Sequence, residues 1–479
     1  MLYQLRVFAI KIRGVLKKLS TLLILRLLPF LFLPFLLFFF SSCADNNKTL
    51  TVPHSDFSLD TSPRIKIELP QNPTLDNIIT YALSNNPKLK AIYFDYLSHN
   101  SNYKAKGRWP LPQIAYTWYM QQVETKVGPQ RHRFSLAQKF PWPGKLAAQK
   151  ETALRLSIYK LAKYNIFRNI LLFQLKKIWF ELSYLSSSLK ILKDYRQTLN
   201  SMLELARIKY KTTRLNYSHL AKIKVELGKL SNSISTVRTQ IETKKDEIKA
   251  YLGNDKIKFK APNSLPPPVK LPQMSTLLKM QKANHPQLEQ IKYQIQLQKS
   301  RIEASRKKSM PDFFLKFTYI ETGESEMGEV IDNGKDPMLL TFGLSLPLWR
   351  DSFRHETKSE EYKLQGARML LKDLKNHLIK KLKISVKNYL NARQILNNYE
   401  NKLVKEAELG FKLGIEAYVA GKDDLFSVWA LAKSVQKLKL ARVKAHLQLR
   451  ILKAEIEKIT GITLDVENKV SDKKRKNSQ

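Results

Sequence analysis

One uninterrupted stretch constrains the fold more than any other feature, because residues 145–227 contain neither glycine nor proline. Apolar residues recur within it at spacings of three and four, namely Ile178, Leu182, Leu185, Leu189, Leu192, Tyr195, Leu199 and Leu203. This period predicts a long helical seam of the coiled-coil type. Since an α-helix rises about 1.5 Å per residue, a helix of about 65 residues extends roughly 100 Å. This length is far greater than the diameter of a compact globular domain. No proline follows Pro347, so the second half of the chain can form helices of the same kind.

The same order of landmarks occurs twice along the chain. Residues 85–89 (Asn-Asn-Pro-Lys-Leu) match residues 284–288 (Asn-His-Pro-Gln-Leu). Further matching pairs, in the same order, are Pro112 and Pro311, Tyr210 and Tyr418, and Gly253 and Gly461. The sequence therefore predicts two internal repeats, residues 72–254 and 272–462, joined by an extended proline-rich linker at residues 255–271.

Each repeat is predicted to contain a pair of strands between its helices. Apolar and small or polar side chains alternate in residues 114–121 and 134–139, and again in residues 313–319 and 341–346. Strands with an aromatic face suit an outer-membrane β-barrel, although alternation alone fits a half-buried soluble sheet equally well. Four strands cannot close a barrel, and an open sheet edge is not viable in lipid. A membrane location therefore requires several chains, and three would supply twelve strands.

The first 43 residues predict an export signal. A basic segment, residues 1–26, precedes an apolar run at residues 27–40 that is too short to span a bilayer. Cys43, the only cysteine, follows this run where a signal peptide is cut, and the arrangement resembles a lipobox, in which the cysteine is lipidated. A plain signal peptide with a coincidental cysteine is the alternative. We expect a lipoprotein-type signal peptide (1–43), an N-terminal linker (44–71) and a basic C-terminal tail (463–479).

The net charge of +42, from 83 Lys and Arg against 41 Asp and Glu, indicates either an anionic partner or a surface that is simply Lys-rich. A basic coiled-coil protein that binds nucleic acid or another polyanion is therefore an alternative, supported by the cationic run at residues 473–476. That alternative leaves the export signal and the aromatic strands unexplained. The single cysteine and scattered histidines predict no metal site, and the absence of a phosphate-binding glycine loop or a nucleophile elbow predicts no cofactor and no enzymatic activity.

Several segments, in their order and spacing, resemble the TolC-like family of bacterial outer-membrane efflux proteins. They are Leu75-Asp76-Asn77-Ile78-Ile79 with Asn85-Asn86-Pro87, Trp109-Pro110-Leu111-Pro112-Gln113, Gln138-Lys139-Phe140-Pro141-Trp142-Pro143-Gly144-Lys145, and Ala417-Tyr418-Val419-Ala420-Gly421-Lys422. The resemblance covers about residues 72–463. It implies a mainly α chain with a transmembrane β part, in which a trimer with four strands per chain forms a 12-stranded outer-membrane β-barrel continued by a long periplasmic α-helical barrel. Its implied function is the outer-membrane channel of a tripartite efflux or secretion system, a passive duct.

The resemblance also implies partners and a site. The expected partners are a homotrimer, a periplasmic adaptor protein, an inner-membrane pump of the resistance-nodulation-division (RND) or ATP-binding-cassette (ABC) type, and outer-membrane lipid, with no nucleic acid. Residues that match the family's adaptor-contacting periplasmic tips are Tyr210, Thr213, Tyr418, Gly421 and Lys422.

The closed aperture of the family often carries acidic residues, and the matching positions here are His219 and Ser427. An aperture of aspartates at those positions is therefore not expected. Asp423 and Asp424 are the remaining candidates for acids near the aperture. They are equally interpretable as acids that complement the dipole of a following helix, which is the interpretation we favour.

Overall fold

The computed structural model describes residues 69–212, 217–327 and 330–464. All of them belong to one compact unit, Ile65–Gln479. The predicted signal peptide with Cys43, nearly all of the N-terminal linker, and residues 465–479 of the basic tail lie outside the described residues.

Elements follow the same order in the two halves of this unit. The first half contains α1 (Leu75–Asn85), α2 (Pro87–Ala105), β1 (Gln113–Val123), β2 (Gln130–Phe140), α3 (Lys145–Thr212) and α4 (Tyr217–Leu252). The second contains α5 (Met274–Asn284), α6 (Pro286–Lys308), β3 (Asp312–Thr322), β4 (Met338–Ser345), α7 (Arg350–Asn398), a π-helical segment (Tyr399–Leu403), α8 (Val404–Val419) and α9 (Leu425–Thr460). This order agrees with the predicted plan, while the duplication and its boundaries stay a prediction.

The starts of the short helices explain the matching segments 85–89 and 284–288. Thr74 begins α1 with a capping box, in which its Oγ1 accepts from the N–H of Asn77 at 3.3 Å and the Asn77 side chain accepts from the N–H of Thr74 at 2.9 Å. The side chains of Asn86 and His285 accept nearby backbone N–H groups at 2.9 and 3.2 Å, and each is followed by a proline at the first helical position. The segments 85–87 and 284–286 are therefore matching helix junctions.

The helices form a layer with two open edges. The 68-residue helix α3 extends roughly 100 Å at about 1.5 Å per residue. It packs on α2 and α6 along its first part and on α4 and α9 along the rest; α6 and α9 both pack on α7, and α9 also packs on α8. Two clusters of buried apolar side chains hold the layer together, one formed mainly by α3, α4 and α9 and the other mainly by α7 and α9. This order places α4 at one edge of the layer and α7 with α8 at the other.

The four strands form one antiparallel sheet in the order β1-β2-β3-β4. Tyr116 pairs with Phe134, Phe134 with Tyr319 and Tyr319 with Met338, so these four side chains share a face. This apolar face consists of Ile114, Tyr116, Trp118, Met120, Phe134, Leu136, Phe313, Leu315, Phe317, Tyr319, Met338, Leu340, Phe342 and Leu344, with His132, Gln138 and Glu321 between them. The opposite, mixed face carries Ala115, Thr117, Tyr119, Arg133, Ser135, Ala137, Lys139, Asp312, Phe314, Lys316, Thr318, Ile320, Thr322, Leu339, Thr341, Gly343 and Ser345. Strands β1 and β4 are the sheet's edges.

The proline-rich segment 255–271 has no helix or strand, as predicted, but it is held against the helices. Arg450 of α9 donates to the carbonyl of Pro266 at 3.1 Å and also to that of Pro267. The hydroxyl of Tyr389 in α7 donates to the carbonyl of Val269. This segment is therefore anchored along its second half rather than acting as a free linker. Within the described ranges, the helices include none that is long and apolar enough to cross a membrane.

Candidate functional site

The two predicted tip segments lie at the same end of the helical layer. Helix α3 ends at Thr212 and α4 begins at Tyr217, while α8 ends at Val419 and α9 begins at Leu425. One buried cluster joins both turns, and its members near them are Leu203, Ala206, Leu220, Ile223, Tyr418, Leu425 and Val428. The structure thus brings together segments that are about 200 residues apart in sequence.

The turn after α8 is a Schellman motif. Gly421 adopts a left-handed conformation with φ at 74°, its N–H donates to the carbonyl of Tyr418 at 3.1 Å, and the N–H of Lys422 donates to that of Ala417 at 2.9 Å. The Tyr418 side chain is only 8% exposed and packs in the cluster, whereas Val419, Gly421 and Lys422 are exposed. The tyrosine of this segment therefore supports the tip from inside, and the exposed surface comes from its neighbours.

Asp424 begins α9 as its N-cap. Its Oδ1 accepts from the backbone N–H of Ser427 at 2.7 Å, and the carboxylate stands at the positive end of the helix dipole. Asp423 Oδ1 accepts from the N–H of Asp424 at 2.8 Å. The favoured interpretation of these acids as helix N-terminal residues agrees with this geometry, and Ser427 takes part through its backbone.

The tip residues of the first repeat are placed by their backbone. Tyr210 lies in α3 two residues before its end, and His219 lies in α4 two residues after its start. Both therefore flank the predicted turn, and Thr213 lies outside the described residues.

A polar and aromatic cluster that the sequence did not reveal joins the first turns of α9 to helices α3 and α4. The Trp429 Nε1 donates to the Tyr195 hydroxyl at 3.2 Å, and burial raises the pKa of Tyr195 to about 12, so the phenol stays protonated. Lys433 forms an ion pair with Glu226 of α4 at 2.9 Å. Phe426 packs edge-on to Trp429, with ring centroids 4.9 Å apart. We call Tyr195, Glu226, Phe426, Trp429 and Lys433 the clasp.

The apolar face of the sheet is largely exposed in the single chain, unlike that of a soluble half-buried sheet. Met120 is 84% exposed and Phe342 is 70% exposed on the apolar face, whereas Thr318 and Thr322 on the mixed face are 8% and 7% exposed. A sheet in water buries its apolar face and exposes its polar one. The exposed face is instead continuous across all four strands and includes stacked aromatic rings such as Phe313 and Phe342, 6.0 Å apart.

Comparison with solved structures identifies the architecture. CusC, which forms a transmembrane channel, superposes with a TM-score of 0.68 at 12% identity over 81% of this chain and 92% of that one. The outer membrane protein VceC of Vibrio cholerae superposes with a TM-score of 0.65 at 14% identity, covering 81% and 96%. The CmeC outer membrane channel of Campylobacter jejuni superposes with a TM-score of 0.66 at 12% identity, covering 83% of this chain and 88% of that one. The chain has the TolC-like fold. Models of known protein families give no match, and neither do curated protein sequences.

The TolC-like fold confirms the predicted class in its coarse features, a mainly helical chain with a four-stranded sheet. These neighbours are described as channels or outer membrane proteins. Among the described residues, no group of three His, Cys, Asp or Glu side chains is placed to hold a metal ion. Identities this low establish a shared fold.

Proposed function

We propose that the chain is the outer-membrane channel of a tripartite efflux or secretion system, a passive duct from an inner-membrane pump and a periplasmic adaptor to the outside. The observation that carries this proposal is the exposed apolar face of the sheet. Exposing an aromatic and aliphatic face in water is unfavourable by about 25 cal/mol per Å², and hydrocarbon removes that cost. Strands of 11 residues, as in β1 to β3, have the length that a tilted strand needs to cross a bilayer.

The two open edges support assembly into a trimer. A membrane sheet must pair its edge strands, because unpaired backbone groups in hydrocarbon cost several kcal/mol each. Joining β1 of one copy to β4 of the next closes the sheet, and the same operation brings α4 against α7 and α8 of the neighbour. Exposed apolar side chains are present on both helix edges, among them Val225 on α4 and Leu409 and Leu413 on α8. Three copies give the 12-stranded barrel that the family resemblance implies.

The helix tips are the proposed adaptor-binding surface. Val419, Gly421 and Lys422 supply exposed groups in the second repeat, and Tyr210 and Thr213 are the matching residues that we propose for the first. His219 and Ser427 stay the proposed aperture positions, and neither is acidic. Because Asp424 caps α9, we infer that the aperture is held closed by contacts such as the clasp rather than by a ring of aspartates.

Lipid anchoring through Cys43 is a separate proposal that rests on the lipobox-like sequence. It predicts that the mature protein begins at an acylated Cys43 and that Cys43→Ser removes the acyl mass. An intact-mass measurement on protein from outer membranes tests it. An unmodified Cys43 in that protein would contradict anchoring and leave the channel proposal standing.

The channel proposal is tested by fractionation and conductance. The full-length protein, expressed in a Gram-negative host, is expected in the outer-membrane fraction, and the purified protein is expected to give discrete conductance steps in planar bilayers. Leu340→Arg, which places a charge on the apolar face, is the matched defective variant. A soluble protein that gives no conductance would overturn the proposal and favour the polyanion-binding alternative.

A further inference from the structure

Arg133 and Lys316 are the cations in the middle rows of the mixed face, and Lys139 lies nearer its end. The register fixes their placement, since Arg133 of β2 lies in the same row as Thr117 and Ile320, and Lys316 of β3 in the same row as Ala137 and Thr341. The rows are four residues apart along β2, or about 13 Å at about 3.3 Å per residue. Both side chains therefore occupy the middle of the face opposite the exposed apolar one.

Arg133 is held in place by its surroundings. Its guanidinium lies 5.3 Å from the centroid of the Tyr119 ring on the same face, within the range of a cation–π contact. Its Nε is buried and has no hydrogen-bond partner in the described part of the chain. The charge is thus fixed on this face without a counter-charge to neutralise it.

Acidic groups balance these cations at only one end of the face. Among the described strand residues, Asp312 is the one acid on the mixed face, and it already pairs with Lys139 at 3.2 Å and Lys145 at 2.9 Å. That group of three therefore keeps one net positive charge. No ion pair to Lys316 or Arg133 is present within the described residues.

We propose that Arg133 and Lys316 make the channel selective for anions, so that its preferred cargo is anionic. The inference rests on the proposed trimeric barrel, which turns the mixed face inward and repeats each cation three times around the lumen. Rings of Arg or Lys favour anions in pores, because permeating ions pass the ring within a short distance in a confined space. The remaining face residues in these rows, such as Thr117 and Thr341, are neutral.

Acids outside the strands make the test discriminating. Glu324, Glu326 and Asp332 lie in the connection between β3 and β4, at the outer end of the proposed barrel. If that mouth controlled permeation, the channel would favour cations. The sign of the selectivity therefore separates control by the mouth from control by Arg133 and Lys316.

The experiment measures the reversal potential of the purified trimer in planar bilayers under a KCl gradient. A ratio of chloride to potassium permeability above unity is expected for the natural protein. Arg133→Gln and Lys316→Gln, singly and together, are expected to lower this ratio in steps while conductance remains, and Arg133→Lys with Lys316→Arg to preserve it. Lys258→Gln with Lys270→Gln, in the proline-rich segment, removes the same charge outside the sheet and is expected to leave the ratio unchanged.

Salt provides an independent check. The Debye length falls from about 30 Å at 0.01 M to about 3 Å at 1 M, so selectivity that arises from these charges fades across this range. A cation-selective channel, or a ratio that the glutamine variants do not alter, would overturn the inference and leave the channel proposal intact. An absence of any conductance would instead overturn the channel proposal itself.

Discussion

Two neighbouring leucines on opposite faces of β4 offer a sharp test of membrane insertion. Leu340 lies on the apolar face and pairs with Phe317, whereas Leu339 lies on the mixed face and pairs with Thr318. Phe317 is the central residue of the 11-residue strand β3. At about 3.3 Å per residue and a tilt of about 45°, such a strand covers the roughly 25 Å apolar band of a membrane barrel. Leu340 is therefore expected near the bilayer midplane.

Arginine at these two positions should have very different costs. Arginine on the lipid face at the midplane costs about 2–4 kcal/mol, so Leu340→Arg should destabilise each copy by this amount. Leu339→Arg points into an aqueous lumen and should change the free energy of unfolding by no more than about 1 kcal/mol. Urea titration of protein folded in phosphatidylcholine vesicles, followed by the gel mobility of unheated samples, measures both values.

The difference in stability between the two variants shows whether the apolar face of the sheet contacts lipid. Leu340 and Leu339 are 65% and 45% exposed in the single chain. In a water-soluble sheet, both substitutions would therefore be surface changes within about 0.5 kcal/mol. Similar small effects for the two variants would refute the assignment of the apolar face to lipid.

Three further predictions concern the helices. Gly421→Ala should lower the free energy of unfolding by about 1–2 kcal/mol, because Gly421 has a left-handed backbone with φ at 74°, although the space around it is open. The control Gly410→Ala in α8 should be neutral or stabilising, and thermal unfolding compares the two variants. Asp424→Ala should lower the stability of the tip by about 1 kcal/mol through loss of the N-cap, seen as faster amide hydrogen exchange at the start of α9, and unchanged exchange would refute the cap's contribution. Burial, with the nearby cations of α7 and α9, lowers the pKa of His285 from 6.5 to about 4, so the folded state keeps it neutral while the unfolded state takes up a proton. The contribution of His285 to the free energy of unfolding is complete above pH 6.5, and it falls by roughly 3 kcal/mol as the pH drops to about 4. His285→Asn, which copies the helix cap at Asn86, should remove this pH dependence of stability. Denaturant unfolding between about pH 4 and 7 measures it, and identical pH profiles for the natural protein and the variant would contradict the prediction.

Local periodicity predicted the elements well. The glycine- and proline-free stretch 145–227 forms α3 and the first 11 residues of α4, and the two helices are separated between Thr212 and Tyr217, where the family resemblance places the tip. Alternation of side chains in residues 114–121 assigned Tyr116 and Trp118 of β1 to one face, because a strand has a period of two. Such patterns depend on neighbouring residues only, and the sequence displays them directly.

Contacts between distant segments were not predictable in the same way. Tyr195 and Trp429 of the clasp are separated by 234 residues, and neither belongs to a local pattern that names the other. Arg450 fixes the proline-rich segment through backbone carbonyls, which any residue type presents. The burial of Tyr418 likewise depends on the packing of four helix ends, so the sequence marked its position but not the direction of its ring.

The most direct test of the account is the mass of the native complex extracted from outer membranes, with Cys43→Ser as the control for lipidation. A complex of three chains that remains in the membrane fraction is expected. A soluble monomer or dimer that retains residues 1–43 would contradict it.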